Sequence, residues 1–217
     1  MKLRVKICCI SSVLEAKQAI SFGAAVLGLV AKMPSEPGPI SDELISEIIR
    51  TIPPPIASFL LTSRIDSLDI VEHQRLVNSN VIQLVDALQS GSYDDFRKHI
   101  PAIKIVQVIH VIDEKTLDEA LEIAEKVDAL LLDSGNPNLA VKELGGTGRV
   151  HSWAVSRKIV EQSKVPVFLA GGLKPENVRA AIDVVQPYGL DLCSSVRTDG
   201  HLDPYKLEQF FNEVNRV

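Results

Sequence analysis

The chain has 217 residues, 46% of them hydrophobic, and a formal net charge of −5. That apolar content supports a large core and excludes a disordered chain, while the negative balance speaks against a general nucleic-acid binder, which is normally basic. The three cysteines, an odd number with two adjacent, point to free thiols in a reducing compartment rather than to a disulfide scaffold.

The first residues, Met1 to Ile7, enter a strand directly without a signal-peptide pattern. No apolar run approaches the roughly 20 residues needed to cross a bilayer. A cytoplasmic protein with no membrane partner is expected. From there strands and helices alternate. Apolar, strand-like runs fall at 4–10, 26–30, 56–61, 81–84, 104–110, 129–132, 167–170 and 190–193. Helical periodicity is predicted over 13–21, 42–51, 66–78, 92–99, 116–127, 152–162, 176–185 and 205–214. In the fifth of these, Leu117, Ala120, Leu121 and Ala124 recur on one face, and Asp118, Glu119, Glu122 and Glu125 occupy the other. Ser41 and Asp42 suit a helix start, and Pro175 suits a first turn. Eight β-then-α units without a Gly-, Ser- or Pro-rich linker favour an α/β fold of the closed (β/α)8 TIM barrel type, as a single domain over 1–217. A doubly wound open sheet is the alternative; it more often shows a Gly-rich turn after its first strand, where this chain has Cys8-Cys9-Ile10. The longest irregular stretches, 31–40 and 134–143, follow strands and are expected on the C-terminal face of the barrel, where active-site loops belong.

Residues 143–197 carry the densest chemical signal. Gly145-Gly146-Thr147-Gly148 precedes a helix, Ala170-Gly171-Gly172 ends one strand, and Cys193-Ser194-Ser195 ends another. Small residues at a strand's end let backbone N–H groups approach an anion, and two such units near the C-terminus are how a (β/α)8 barrel holds a phosphorylated small molecule. In strand one, alternation puts Lys6 and Cys8 on one face and Val5, Ile7 and Cys9 on the other. In a barrel the first pair points inward, and an adjacent ammonium lowers the thiol's pKa. Asp133 ends the sixth strand-like run. It serves as a helix cap or loop residue, or as a carboxyl acid in a partly dry pocket. Gln83, Gln107 and His110 project from strands as hydrogen-bonding groups or as satisfied core polar residues. Arg149 and His151 are expected to face solvent.

The motifs Val-Lys-Ile-Cys (5–8), Val-Ile-Gln-Leu (81–84), Leu-Leu-Leu-Asp (130–133), Gly-Gly-Thr-Gly (145–148) before Trp153, Ala-Gly-Gly-Leu-Lys-Pro-Glu-Asn-Val (170–178) and Asp-Leu-Cys-Ser-Ser-Val (191–196) together resemble the phosphoribosylanthranilate isomerase family over nearly the whole chain. The resemblance implies a tryptophan-pathway aldose–ketose isomerase that performs an Amadori rearrangement of an N-(5-phosphoribosyl) amine without metal or organic cofactor. It implies that Cys8 is the general base, that Asp133 is the general acid, and that backbone at Gly171, Gly172, Ser194 and Ser195 holds the phosphate. Lys6, Gln83, Gln107, His110, Gly146, Thr147, Gly148 and Asp191 are the expected pocket. A monomer or homodimer is expected.

The chain departs from the family pattern at the site. Cys9 stands where the family has Gly, and Gly38 where it has an arginine for the anthranilate carboxylate. Val85-Asp86 stands for His-Gly, and Gln107 and His110 for Lys and Arg. Ser195 stands for Gly, and Val196-Arg197 for an acidic residue. Losing a bidentate carboxylate partner weakens binding of an aromatic acid. Either Arg197, Arg64 or Lys32 replaces it, or the chain acts as an isomerase or lyase on another phosphorylated sugar or amine. A non-catalytic phosphate-ligand binder is the reading from a different class.

Overall fold

The computed structural model describes residues 3–34, 38–135 and 151–216. Its strands are β1 (Arg4–Ile7), β2 (Val26–Val30), β3 (Ala57–Thr62), β4 (Val81–Leu84), β5 (Lys104–His110), β6 (Ala129–Asp133), β7 (Val167–Leu169) and β8 (Gly189–Leu192). They pair in parallel in sequence order and close through β1 against β8, with Lys6 opposite Asp191. Helices α1 (Val13–Phe22), α2 (Asp42–Thr51), α3 (Ser67–Val77), α4 (Tyr93–His99), α5 (Thr116–Ala124), α6 (Trp153–Gln162) and α7 (Pro175–Val185) follow the first seven strands in turn. After β8 come a 3-10 turn (Ser194–Val196), a short hairpin of β9 (Arg197–Thr198) and β10 (His201–Leu202), and α8 (Pro204–Asn215). Closure rules out the open sheet.

Local chemistry sets the helix starts. The side chains of Ser12, Ser41, Asp66, Ser152 and Asp203 each accept a backbone N–H of the first turn, which satisfies donors a helix start otherwise leaves open. Alternation along the strands sorts side chains into two apolar bodies. Val5, Ile7, Leu60, Ile82, Leu84, Ile105 and Ile109 pack outward under the helices. Cys8, Val30, Phe59, Leu61, Val81, Val106, Val108, Leu131 and Phe168 fill the interior. Burying one such leucine stabilises the fold by about 1.5–3 kcal/mol.

The boundaries differ from the sequence reading at the site. β1 stops at Ile7 rather than Ile10 because Cys9 takes a left-handed backbone, φ 60°. β6 extends one residue further, so Asp133 is itself a strand residue. α5 ends at Ala124 rather than Val127.

Candidate active site

Lys6 and Cys8 point into the barrel, as alternation requires, and both are buried. Space for them comes from β2. A Cβ on Gly28 would lie 2.9 Å from the Cys8 sulfur and 3.1 Å from Lys6 Cε, so that strand leaves room where the thiol and the ammonium meet. Lys6 Nζ lies 2.8 Å from Asp191 Oδ1. Burial works against the charge on Lys6, but attraction to the charges of Asp191 and Cys8 outweighs it and holds the ammonium above its ordinary range. Hydrogen bonding from the Cys9 thiol draws the Cys8 thiol down to about 6; burial opposes this, and the charge and hydrogen bond of Lys6 add to it. The lysine effect expected from sequence is therefore present but ranks behind a thiol neighbour. Burial pushes Asp191 up to about 7; Lys6 counters this, and the Cys8 charge adds to it. Lys6, Cys8 and Asp191 thus share one ammonium between two acids and titrate as a coupled set.

Across the interior, Asp133 at the end of β6 stands in register with His110 of β5. Both follow inward residues two positions earlier, Leu131 and Val108. Asp133 is 7% exposed, and its Oδ1 accepts the Ser134 N–H at 2.7 Å. His110 is half-buried; its Nε2 lies 3.3 Å from the Val85 carbonyl, and Nδ1 is buried without a partner. Gln83 on β4 also faces inward, between Val81 and Val85, with Oε1 buried and unpaired. Gln107 does not belong to this pocket. It sits on the opposite parity of β5 from Val106 and Val108, accepts the Tyr93 hydroxyl of α4 at 3.0 Å, and donates to the carbonyls of Leu84 and Asp86 at 3.2 Å. It is a satisfied polar group between sheet and helix.

The two small-residue turns lie on the same rim. Gly171 and Gly172 take φ 82° and 63°, a pair of left-handed residues that L side chains resist. Asn177 of α7 donates to the Gly172 carbonyl at 2.9 Å and fixes the turn. Ser194 and Ser195 open the 3-10 turn after β8. The backbone N–H groups of Gly171, Gly172, Ser194 and Ser195 meet no acceptor among the described residues. A cleft of about 380 Å³ reaches Ser194 from the ends of β1 and β2, with Cys9, Gly38 and Arg197 in its wall. It borders the Ser194 turn but does not reach Cys8 or Asp133.

Three further expectations need correction. Cys9 does not pack under the helices; its left-handed backbone keeps it in the inner body, where its sulfur lies 2.7 Å from that of Cys193. Arg197 does not replace the missing carboxylate reader. Its guanidinium is bound to Glu15 of α1 at 3.0 and 3.1 Å, to the Gly200 carbonyl at 2.9 Å, and to the carbonyls of Cys8 and Cys9. Its position latches the last loop onto the end of β1. His151 is half-buried rather than solvent-facing, with Nε2 2.8 Å from the Ser156 hydroxyl. Burial lowers its pKa, and the nearby Asp133 raises it. Gly146, Thr147, Gly148 and Arg149 lie outside the described residues. Glu15, Gly28 and Cys193 are site-building residues that periodicity does not single out, because each acts through a partner distant in sequence.

The departures at positions 9 and 38 form one packing unit. Gly38 has φ 113°, and a Cβ there would lie 2.8 Å from the Cys9 sulfur. A side chain at position 38 is therefore strained by its backbone and displaces the Cys9 side chain in this loop conformation. Lys32 and Arg64, both exposed after β2 and β3, form no ion pair among the described residues. No group of three or more His, Cys, Asp or Glu side chains is arranged for a metal ion among the described residues, and no helix among them is long and apolar enough to cross a membrane.

Residues 5–213 match the family described as N-(5'phosphoribosyl)anthranilate (PRA) isomerase. An N-(5'-phosphoribosyl)anthranilate isomerase of Methanosarcina acetivorans is 35% identical over 99% of this chain and 94% of its own length. N-(5'-phosphoribosyl)anthranilate isomerase 2 of Methanosarcina mazei is 38% identical over 98% and 94%. Among solved structures, the phosphoribosyl anthranilate isomerase of Thermotoga maritima superposes with a TM-score of 0.82 at 28% identity, covering 99% of this chain and all of that one. A further isomerase structure, in complex with reduced 1-(o-carboxyphenylamino)-1-deoxyribulose 5-phosphate, gives 0.80 at 26% identity over 99% of this chain. On the match of nearly its whole length, the chain belongs to the N-(5'-phosphoribosyl)anthranilate isomerase family.

Proposed function

We propose that the chain converts N-(5'-phosphoribosyl)anthranilate from aminoaldose to aminoketose, the Amadori step of tryptophan biosynthesis, as a single-domain cytoplasmic enzyme, monomeric or homodimeric. The observation that carries this reading is the placement of the Cys8 sulfur and the Asp133 carboxyl inside one barrel, at strand ends that share a rim with two open N–H turns. In this reading Asp133 gives a proton to the furanose ring oxygen, and the C1–O bond breaks as the nitrogen lone pair forms C1=N. The Cys8 thiolate then takes the proton from C2. The electron pair of that C–H bond forms C1=C2, and the C1=N pair returns to nitrogen. Reprotonation at C1 and loss of the enol proton leave the C2 ketone. C1 is reduced as C2 is oxidised within one molecule, so the electrons balance without an outside carrier.

The 5-phosphate sits on the N–H groups of Gly171, Gly172, Ser194 and Ser195, an arrangement suited to anions. Lys6 keeps Cys8 anionic, and Gln83 and His110 offer unpaired polar atoms to the sugar hydroxyls. With Arg197 engaged elsewhere, Lys32 and Arg64, exposed after β2 and β3, stand among the described residues as cations for the anthranilate carboxylate. The test is complementation of a tryptophan auxotroph lacking this isomerase. The native chain restores growth, and Cys8→Ser and Asp133→Asn, each folded by circular dichroism, do not. Failure of the native chain to complement, with purified protein inactive on the substrate, overturns the reading. If either variant supports turnover at the native rate, the role assigned to that residue falls.

A further inference from the structure

The ring of strands closes where β1 pairs with β8, and two of the three cysteines meet on that seam. Ile7 stands opposite Leu192, and the Cys8 N–H carries the ladder on to the Leu192 carbonyl at 2.7 Å. Cys9 and Cys193 leave the two strands just beyond this point. Paired strands lie about 4.7–4.9 Å apart, a spacing that falls within the Cα separations of about 4.4–6.8 Å that disulfides bridge. Both residues are thiols in this structure, and their sulfurs lie 2.7 Å apart. Sulfurs in simple contact rest farther apart than this, and closing the gap to a bond of about 2.05 Å takes a movement of less than about 1 Å.

The backbone aims Cys9 at the seam. Alternation alone would turn its side chain outward, under the helices. The left-handed torsion, φ 60°, keeps it on the inner side beside Cys193. Such a torsion is uncommon outside glycine and costly for most side chains, and contacts on both sides hold it. The Ile10 N–H bonds the Gly28 carbonyl at 3.0 Å, and the Arg197 guanidinium binds the Cys9 carbonyl. Arg197 stands four residues after Cys193 and is fixed by Glu15, so one side chain ties the turn after β8 to the end of β1. A glycine at position 9 would take the same φ without strain but would bring no sulfur to the seam.

The pair is also within reach of small molecules. Cys193 is half-buried, and both cysteines line the cleft of about 380 Å³ beside the Ser194 turn. Cys8 is not part of that wall. A small oxidant in the cleft therefore meets Cys193, the more exposed of the two, with the Cys9 sulfur beside it. Arg197 lies near enough to both thiols to interact with their charge, and a neighbouring cation favours the reactive thiolate, although Glu15 offsets much of this one.

We propose that Cys9 and Cys193 are a modification site: a peroxide converts the pair to a disulfide that closes the barrel seam covalently. First the Cys193 sulfur attacks one peroxide oxygen, the O–O bond breaks, and the other oxygen leaves as water after taking a proton. Cys193 is then a sulfenic acid. Next the Cys9 sulfur attacks the Cys193 sulfur, the S–O bond breaks, and a second water leaves as the S–S bond forms. The two thiols give up two electrons and two protons, and the peroxide takes up both as it is reduced to two waters. The bond would span 184 residues, and the stabilisation from such a link grows with the length of chain it closes. In a reducing compartment the site rests as the dithiol, and thiol reductants reopen it by exchange. This goes beyond the isomerase reading and does not depend on it, since neither cysteine acts in the proposed reaction.

The test treats native protein and Cys8→Ser with hydrogen peroxide in small molar excess, blocks remaining thiols under denaturing conditions, and maps peptides without reductant. Cys8 and Cys9 lie on one tryptic peptide, and the variant identifies which of them is linked. Both proteins should yield a Cys9–Cys193 link within a single chain, leaving one thiol in the native protein and none in the variant. Dithiothreitol should restore every thiol. Oxidation should also raise the urea midpoint, by about a hundredfold or more in the ratio of folded to unfolded chains. Reduction should reverse the rise, and Cys193→Ser should show none. Cys193 recovered from folded protein as a thiol or a sulfinic acid overturns the proposal. So does a link that is lost in Cys8→Ser or joins two chains, or one that leaves the urea midpoint unchanged. A reversible Cys9–Cys193 link in protein that is inactive on N-(5'-phosphoribosyl)anthranilate would support the site while rejecting the isomerase assignment.

Discussion

Replacing Lys6 with methionine keeps the length and nearly the volume of a fully buried side chain while deleting its charge, so it perturbs electrostatics with little cavity cost. The ammonium lies 2.8 Å from Asp191 and also attracts Cys8. Removing one partner of a buried pair costs about 3–5 kcal/mol when the other charge is stranded. Here that loss has a ceiling set by pH. Burial already pushes Asp191 up to about 7, and without Lys6 it rises further, so below that point the carboxyl takes a proton and the penalty shrinks. The destabilisation of Lys6→Met should therefore grow from acid to alkaline pH, as read from urea midpoints across the range.

The base responds in the opposite sense. Native Cys8, near 6, is mostly thiolate at neutral pH. A rise of about two units would turn a ratio of about 10:1 thiolate to thiol at pH 7 into about 1:10, so kcat/KM falls roughly tenfold there and recovers at alkaline pH. The double variant Lys6→Met/Asp191→Asn should regain most of the stability, because no carboxylate is stranded, yet keep the raised thiol midpoint. A Lys6→Met protein that is folded and still alkylates with a midpoint near 6 would refute the assignment of Lys6 as the counter-charge of the base.

Gln83 and Gln107 should separate cleanly. Gln107→Met removes the bonds to Tyr93, Leu84 and Asp86 and should cost about 1–3 kcal/mol of stability while leaving kcat/KM of the folded enzyme within twofold of native. Gln83→Met discards a buried, unpaired oxygen, so stability should hold or rise while KM increases. Gly38→Arg should destabilise the chain, since φ 113° and the Cys9 sulfur at 2.8 Å both oppose a side chain; adding Cys9→Gly should relieve the contact, measurable as a partial recovery of the melting temperature. Arg197→Met strands Glu15, whose carboxyl is buried and held below its ordinary 4.5 by Arg197 and by the N–H groups of Leu202 and Ser11. A depressed carboxyl contributes stability above its unfolded pKa and loses it as the pH falls through the folded value. The native protein should therefore show an acid-side loss of stability below about pH 4.5, which the variant flattens at a cost of about 3–5 kcal/mol near neutrality. Urea titrations at several pH values would check both.

Chain order, strand parity and helix starts are legible in the sequence because they rest on contacts within a few residues. Apolar alternation puts Lys6 and Cys8 on one face, serine and aspartate caps mark helix starts, and glycine pairs mark turns with left-handed backbone. Asp133 is legible for the same reason: the apolar run before it fixes both its strand and its side. Gln107 is misread because a strand buried on both faces gives no clue to which parity is inner; pairing with β4 and β6 decides that. Cys9 is misread because one backbone dihedral overrides alternation. Arg197 looks like a free cation until Glu15, 182 residues away in sequence, is folded against it. The sequence by itself determined the alternating elements and the identities of an acid, a thiol and two small-residue turns. Ring closure alone decided which of them share an interior and which thiols touch, and which charges are already taken, since those relations depend on residues that only the closed barrel brings within a few ångströms.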